Sequence, residues 1–165
     1  MLSERDLESI QHWISQMKRS TSKMEKHHDV SKAINALRLN YKILGYGNTR
    51  IVYDLENGYV VKVAISRQGL TSNQTEFNLY NRCSTRLRKY LCPVIDHGDG
   101  WIIMKKIQRM VSLTEEYEKK LPRLRRRFRK EGIEARSLRS KNLAISDDNN
   151  RIVVIDYGSF KYCDN

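Results

Sequence analysis

Two oxygen-bearing side chains near the end of the sequence, Asn142 and Asp156, could hold Mg²⁺ against the phosphates of a nucleotide. Asp156 is followed directly by Tyr157-Gly158. Ser137 precedes Asn142 in the same segment, and a serine hydroxyl is a poor proton acceptor. These residues predict a metal and nucleotide site that lacks an evident catalytic base.

A second candidate is the turn Gly45-Tyr46-Gly47-Asn48-Thr49-Arg50. Two glycines between short β-rich runs allow the backbone to approach phosphates closely. Any hairpin can also require glycines, so the turn is weak evidence when taken alone. Arg50 could contact a phosphate or extend into solvent.

The third candidate is Lys62, which lies within the apolar run Val60–Ala64. Strand alternation places Lys62 on the face opposite Val61 and Val63, and burial of an unpaired ammonium group is costly. The alternative is a lysine on an edge strand that faces solvent. Glu76, expected early on the following helix, could pair with Lys62 and orient it toward phosphates, or could complement the helix dipole.

The segment Arg123–Lys130 carries six cations in eight residues on a predicted helix. Leu124 and Phe128, at positions i and i+4, should dock this helix on the core. The cations could form a solvated face, or a patch for nucleic acid or an acidic protein surface. No base-reading motif is evident, so any nucleic-acid binding should be directed to the backbone and sensitive to salt. The candidate partner-binding residues are Arg123, Arg125, Arg126, Arg127, Arg129 and Lys130.

The elements that must position these side chains predict an α+β fold. Residues 1–40 contain apolar positions at helical spacing, with Ser3 as N-cap and Asp6 three residues later, and Asp29 could cap a second helix. Asn57-Gly58 predicts a tight hairpin. The expected strands cover Tyr41–Gly45, Ile51–Leu55, Tyr59–Ile65, Val94-Ile95, Trp101–Ile107, 143–145 and 152–155, with turns at 96–100 and 147–150.

Three further helix signals follow the third strand. Thr71 or Ser72 could cap a helix that runs to about Tyr90. Ser112–Glu115 has a capping-box pattern, and Pro122 should end or kink the helix that starts there. Pro122 could also begin a following helix, which Gly132 would close.

Length and composition fit one domain of 165 residues with a substantial core and a net charge of +12. A field of that sign attracts phosphate-rich or acidic partners. No apolar run approaches the roughly 20 residues that span a bilayer, and the N-terminus is charged rather than apolar. We therefore expect a cytoplasmic protein.

The order of these motifs resembles the protein-kinase-like superfamily, and most of all the very small kinase-like proteins of bacteriophages. It runs from the glycine turn through the strand lysine, the helix glutamate and Met104-Lys105-Lys106 to Asn142 and Asp156-Tyr157-Gly158. The likeness covers roughly residues 41–160. It implies a minimal kinase-like fold, with a β-rich N-lobe with one helix at 41–107 and a truncated helical C-lobe with a small hairpin at 108–165. A helical segment at 1–40 precedes them, in one compact domain.

The resemblance also implies site roles for the matching positions, with ATP and Mg²⁺ as cofactors. Gly45 and Gly47 would cover the phosphates, and Lys62, paired with Glu76, would hold them. Val52 would also contact the nucleotide. Ile103 to Lys106, with Met104 and Lys105 between them, would form the hinge beside the adenine, and Asn142 with Asp156 would bind Mg²⁺.

The sequence departs from the family's His-Arg-Asp motif, because Ala135 replaces the histidine and Ser137 replaces the aspartate. Loss of a positioned base typically costs on the order of 10²–10⁴ in rate. Glu134 is a possible substitute. Ser159–Asn165, which follow Gly158, leave no room for an activation segment, so we do not expect phosphorylation of protein substrates.

Three functions are compatible with these features. The first is a pseudokinase that binds ATP–Mg²⁺, or keeps only the fold, and acts by binding a host protein or nucleic acid through its basic surface. The second is an active small phosphotransferase that uses Asp156-bound Mg²⁺ and Lys62, with Glu134 or the substrate itself managing the proton. The third is a basic nucleic-acid-binding protein with a vestigial nucleotide site. A viral origin would place the protein in the host cytoplasm.

Overall fold

The structure is a computed structural model that describes residues 1–19, 30–111 and 114–163. The helices are α1 (Glu4–Arg19), α2 (Val30–Leu37), α3 (Arg67–Arg82), α4 (Thr85–Arg88) and α5 (Glu115–Lys130). The strands are β1 (Lys42–Tyr46), β2 (Arg50–Asp54), β3 (Tyr59–Ala64), β4 (Val94–Gly98), β5 (Trp101–Lys105), β6 (Ile133–Glu134), β7 (Leu143–Ile145), β8 (Ile152–Val154) and β9 (Lys161–Tyr162). The predicted α+β class is confirmed. The expected cap at Asp29 and the first residues of the Ser112–Glu115 pattern lie outside the described residues.

The chain divides into two compact units. The first comprises Met1–Asn73 and Val94–Lys106, and the second comprises Gln74–Pro93 and Ile107–Asn165. The division falls within α3. The predicted segmentation at 1–40, 41–107 and 108–165 stays a prediction.

The first unit is built on a five-stranded antiparallel sheet in the order β1-β2-β3-β5-β4. Because β3 is the middle strand, its side chains are covered by neighbours on both sides. β4 runs through Gly98, so the predicted turn at 96–100 shortens to Asp99-Gly100. Gly100 has a φ of 88°, a left-handed conformation that glycine adopts without strain.

Helices α1 and α2 pack against one face of this sheet. The apolar stripe of α1 is buried in a core with Val61, Val63 and Ile103. The Trp13 indole donates a hydrogen bond to the Ala64 carbonyl at 3.0 Å. The described part of residues 1–40 is therefore integral to the first unit and does not form a separate surface.

The start of α1 follows the sequence prediction. The Asp6 N–H donates to Ser3 Oγ and the Ser3 N–H donates to Asp6 Oδ2, both at 3.1 Å. This reciprocal pair satisfies two backbone N–H donors that would otherwise lack acceptors at the start of the helix.

The β2–β3 hairpin forms as predicted, but its loop has three residues. The Leu55 N–H donates to the Tyr59 carbonyl at 3.0 Å, which leaves Glu56, Asn57 and Gly58 in the loop. A two-residue Asn57-Gly58 loop would shift the pairing by one position. Since side chains alternate between the faces of a sheet, such a slip would exchange the β2 residues beside Lys62.

Helix α3 begins at Arg67, earlier than predicted, because Ser66 caps it. The Gly69 N–H donates to Ser66 Oγ at 3.1 Å. The helix also ends sooner, at Arg82, and Ser84 starts the separate helix α4 by accepting a hydrogen bond from the Leu87 N–H.

Helix α5 continues through Pro122, so this proline neither ends the helix nor begins another; that it kinks the helix stays a prediction. Thr114 caps its start, and Gly132, with a φ of 75°, follows its last turn as predicted. Tyr117, Leu124 and Phe128 are buried along one side, and this packing stabilises the helix despite the hydrogen bond that proline cannot donate.

The second unit contains two small hairpin-like pairs besides its helices. β7 and β8 form the predicted hairpin, joined by a turn in which Asn150 has a φ of 55°. β6 and β9 pair as well, which the sequence did not indicate. Within residues 1–19, 30–111 and 114–163, no helix combines the length and apolar character required to cross a membrane.

Candidate functional site

Three predicted site residues form a row across the sheet of the first unit. Gly45 of β1 lies opposite Val52 of β2, and Val52 lies opposite Lys62 of β3. A β-bulge between Ile43 and Gly45 creates this alignment, because regular pairing would have placed Leu44 opposite Val52. The bulge thus puts a residue without a side chain in the same row as the lysine, two strands away.

Lys62 lies on the sheet face opposite the one that α1 and α2 cover. It is 5% exposed and belongs to the middle strand, so the edge-strand alternative does not hold. Its neighbours across the sheet are Val52 and Ile102. A buried ammonium group requires anionic or hydrogen-bonding partners, which sets Lys62 apart from a solubility residue.

The glycine turn next to this row is tethered at its base. The Gly47 N–H donates to the Arg50 carbonyl at 3.1 Å, and the Ile65 N–H donates to the Thr49 carbonyl at 2.8 Å. A Cβ added at Gly45 or Gly47 would meet no atom within 4 Å, and neither residue has a positive φ. Neither local packing nor backbone conformation therefore explains these two glycines.

Two polar pairs on the Lys62 face were not predicted. The buried Arg50 guanidinium donates to Asn73 Oδ1 at 3.0 Å, so Arg50 does not extend into solvent. Lys106 forms a 2.6 Å ion pair with Asp54, and this bond lowers the pKa of Asp54, as does the Glu56 N–H that it accepts. Arg50, Val52 and Asp54 are spaced two residues apart, which indicates that they share one face of β2. Only the register of the β2–β3 hairpin shows that this is the face of Lys62.

The predicted hinge residues have three different environments. The Ile103 side chain faces the core under α1 and α2, whereas Met104 lies on the Lys62 face. Lys105 is exposed and pairs with Tyr59 of β3, and the β4 ladder ends opposite Met104. Among the three side chains, Met104 alone shares a face with Lys62.

In the second unit, Asn142 holds together the segment that carries Ser137. Its side-chain amide donates to the Ser137 carbonyl at 2.7 Å. Its own carbonyl accepts the Ile155 N–H at 2.8 Å, and the Asp156 N–H lies 3.4 Å away. The structure thus brings Ser137, Asn142 and Asp156 together. Because the Asn142 amide nitrogen bonds to Ser137, its Oδ1 is the atom suited to a metal.

Glu76 is fully buried and fixes the residue after Asp156. Its Oε2 accepts the Tyr157 N–H at 3.0 Å. Since α3 starts at Arg67, Glu76 lies well past the first turn, and the helix-dipole alternative does not apply. Lys62 and Glu76 belong to different units, and their pairing stays a prediction.

Tyr157 is anchored at both ends. Its hydroxyl donates to the Cys92 carbonyl at 2.8 Å, and its ring lies 6.1 Å from that of Phe160. Burial, followed by the negative charge of Glu76, raises the pKa of Tyr157 well above its usual value. A neutral, immobilised Tyr157 therefore holds the backbone next to Asp156.

The remaining residues of the Ser137 segment show what surrounds the missing carboxylate. Ala135 is buried, and Glu134 is half-exposed and forms a 3.2 Å ion pair with Arg136. Ser137 has a φ of 58°, in the left-handed region. The role of Glu134 as a substitute base stays a prediction.

The basic segment lies on α5, and its apolar residues dock as predicted. Leu124 and Phe128 are buried, and the Phe128 ring meets Phe160 edge-on at 5.2 Å. Its six cations are all exposed. Their surroundings are not identical, because the Arg127 guanidinium lies over an aromatic ring, 5.2 Å from the centre of Tyr90.

No protein-family model matches this chain, and no curated protein matches it. Solved structures of WbdD share its fold. One, a crystal structure at 2.2 Å, has a TM-score of 0.56 and 16% identity, over 75% of this chain and 34% of that one. Another, described as the bifunctional kinase-methyltransferase WbdD, has a TM-score of 0.53 and 17% identity. It covers 71% of this chain and 31% of that one.

At these identities the likeness concerns the fold alone, and the chain spans about a third of the length of the WbdD chains. The α+β architecture thus resembles part of a protein described as a kinase. Membership of the kinase-like superfamily and the bacteriophage relation stay predictions.

Proposed function

We propose that this chain is a kinase-like protein that binds ATP–Mg²⁺ but lacks a catalytic base, that is, a pseudokinase. The observation that carries the proposal is the hydrogen bonding of Asn142, which joins Ser137 to the segment of Asp156. A segment built this way retains the metal ligands and replaces the proton acceptor with a hydroxyl. The fold likeness to a protein described as a kinase supports the same conclusion.

The residues present fit Mg²⁺. Asn142 and Asp156 offer amide and carboxylate oxygens, and Mg²⁺ usually takes one or two protein carboxylates together with phosphate oxygens and water. No cluster of three or more His, Cys, Asp or Glu side chains that could hold a metal occurs in the described part of the chain. The site therefore suits a metal that the nucleotide brings with it.

The first unit supplies features that suit the phosphates. Gly45 and Gly47 are unexplained by packing, which is expected where a ligand approaches the backbone closely. Lys62 is a buried ammonium in the same row of the sheet as Gly45, and phosphates suit an ammonium group as counter-ions.

The rival proposal is an active phosphotransferase. Phosphoryl transfer depends mainly on positioning and charge stabilisation, so Mg²⁺ on Asp156 and the Lys62 ammonium could sustain slow turnover. Glu134 is the nearest candidate base in sequence, but one of its carboxylate oxygens is already held by Arg136. We therefore favour the pseudokinase.

Thermal unfolding with ATP and Mg²⁺ tests the proposal. A ligand at 100 times its Kd stabilises the folded state by about 2.7 kcal/mol, so the Tm should rise clearly with ATP and Mg²⁺ together. Asp156→Ala should abolish the contribution of Mg²⁺. No shift in the wild-type protein at millimolar ATP would refute nucleotide binding, and γ-phosphate release that disappears in Asp156→Ala would favour the phosphotransferase.

A second candidate function is contact with an acidic macromolecule through α5. The outer cations Arg125, Arg126, Arg129 and Lys130 are exposed on a helix whose opposite side is anchored by Leu124 and Phe128. Such a rigid basic surface suits a nucleic-acid backbone or an acidic protein. It can operate with the nucleotide site or, in a nucleic-acid-binding protein, with that site vestigial.

A further inference from the structure

A separate basic cavity lies in the second unit, between α5 and the end of the β7–β8 turn. It has a volume of about 230 Å³ and is lined by Tyr90, Lys120, Arg123, Arg127 and Arg151, with Leu124, Asn150 and Ile152. This is below the roughly 300–1,000 Å³ of pockets for drug-sized ligands. The cavity suits a small group.

Three cations surround the Tyr90 ring. The distances to its centre are 5.2 Å from Arg127 Cζ, 5.5 Å from Arg151 Cζ and 5.4 Å from Lys89 Nζ. Each contact is an electrostatic attraction between a cation and the face of the aromatic ring. All three cations lie within 5.5 Å of the centre of one ring, and like charges gathered in this way repel one another.

Among the residues that the structure describes, no carboxylate lines the cavity, and Lys120 is the one lining cation with an ion-pair partner, Glu116 at 3.2 Å. In the described part of the chain, no carboxylate forms an ion pair with Arg123, Arg127 or Arg151. A compact anion would relieve the repulsion.

We propose that this cavity binds a phosphoryl group carrying two negative charges, as in a phosphate monoester or inorganic phosphate. Guanidinium groups match phosphate oxygens through paired hydrogen bonds. Four cationic residues line one small cavity, which favours a single compact dianion. An extended nucleic-acid backbone, with one charge per phosphate, would instead favour cations spaced along a track.

The spacing on α5 separates this site from the outer basic surface. Lys120, Arg123 and Arg127 follow one another at intervals of three and four residues, so they share one side of the helix. Arg125 and Arg126 carry the same charge on the same helix and do not line the cavity. They are matched controls for Arg123 and Arg127.

The test is an isothermal calorimetric titration of the protein with inorganic phosphate. A titration with chloride at equal ionic strength is the control. We expect saturable phosphate binding in the wild type. Arg127→Gln and Arg151→Gln should each weaken it by about tenfold or more, as for lost hydrogen bonds to a charged group, and Arg126→Gln by less than about twofold. Circular dichroism checks that each variant is folded, and Arg151→Gln tests the site independently of α5.

Three outcomes would overturn the proposal. These are phosphate binding no stronger than chloride binding, equal weakening by Arg126→Gln and Arg127→Gln, or binding of oligothymidylate alone with equal losses in all variants. The last result would indicate a diffuse nucleic-acid surface. The proposal does not depend on nucleotide binding by Lys62 and Asp156, so the two can fail separately.

Discussion

At the scale of the residue, the conformation of Ser137 is as informative as its chemistry. Its φ of 58° lies in the left-handed region, which Asn and Asp adopt more readily than most residues. Its carbonyl accepts hydrogen bonds from the Asn142 amide and the Arg139 N–H. Since these bonds involve the main chain, a carboxylate at this position would leave them in place.

We therefore expect Ser137→Asp to fold normally and to increase γ-phosphate transfer or hydrolysis with Mg²⁺. The gain should be on the order of 10²–10⁴ if the rest of the site is assembled, because a positioned base contributes that much. Ser137→Asn is the control, since it matches the size and backbone preference of Asp but cannot act as a base. Equal rates for the two variants would mean that the site cannot use a base.

Two buried tyrosines allow a matched test of hydrogen bonding. The Tyr53 hydroxyl has no partner among the described residues, whereas Tyr157 donates to the Cys92 carbonyl. Tyr157→Phe should lower the free energy of unfolding by about 1–2 kcal/mol, and Tyr53→Phe should leave it unchanged or raise it. Urea denaturation measures both. A larger loss for Tyr53→Phe would contradict the assignment.

The same Tyr53 substitution has a pH signature. Burial raises the pKa of Tyr53 to about 12. A raised pKa favours the protonated form in the folded state, so its contribution is intact below pH 10 and is lost as the pH rises toward 12. The stability of Tyr53→Phe should therefore fall less between pH 9 and pH 11.5 than that of the wild type, and thermal unfolding at both pH values measures the difference.

At the scale of the element, β1 and the turn that follows it carry two glycines, Gly45 and Gly47, that the local structure does not require. Gly45→Ala and Gly47→Ala should change the free energy of unfolding by less than about 0.5 kcal/mol, because the added methyl group enters open space. If phosphates approach this backbone, each variant should weaken ATP–Mg²⁺ binding by about 1–3 kcal/mol. Calorimetry would measure the affinity.

Gly100→Ala is the contrasting control. Gly100 has a φ of 88°, and a Cβ there would collide with the Ile14 side chain of α1. This variant should destabilise the first unit by about 1–3 kcal/mol. If Gly47→Ala loses stability as well as nucleotide affinity, the lost affinity can be attributed to misfolding, and a phosphate contact at Gly47 is not supported.

The elements that were predicted well are those with strong periodicity. The stripe of α1 and the β-branched apolar run of β3 are visible in sequence because α1 buries one side and β3 is buried along nearly its whole length. Two-residue strands such as β6 have no period, so β6 and β9 were missed. Pro122 misled because local propensity was outweighed by the buried Leu124 and Phe128.

The site was predicted as a set of residues and not as an arrangement. The alignment of Gly45, Val52 and Lys62 depends on a bulge and on a three-residue loop, and neither has a distinct sequence signal. The Glu76 bond to the Tyr157 N–H joins positions far apart in sequence. The Arg127 contact with Tyr90 depends on packing in the same way.

At the scale of the whole molecule, the net charge of +12 predicts salt-dependent association. If the outer surface of α5 binds nucleic acid, the slope of log affinity against log salt should be steep. Replacement of Arg125, Arg126 and Arg129 by Gln should reduce its magnitude by up to about 3. Neutralising the exposed Arg5, Arg19 and Lys32 of the first unit is the charge-matched control. Equal effects would show that net charge alone is responsible.

The burial of Trp13 has an optical consequence. The chain has two tryptophans, Trp13 and Trp101, and both pack in the core of the first unit. The second unit has none. Fluorescence emission therefore records the exposure of the sheet with α1 and α2, whereas far-ultraviolet circular dichroism reports on every helix. If the two signals have different urea midpoints, the difference between the midpoints measures how independently the two units unfold. The measurement needs no added label.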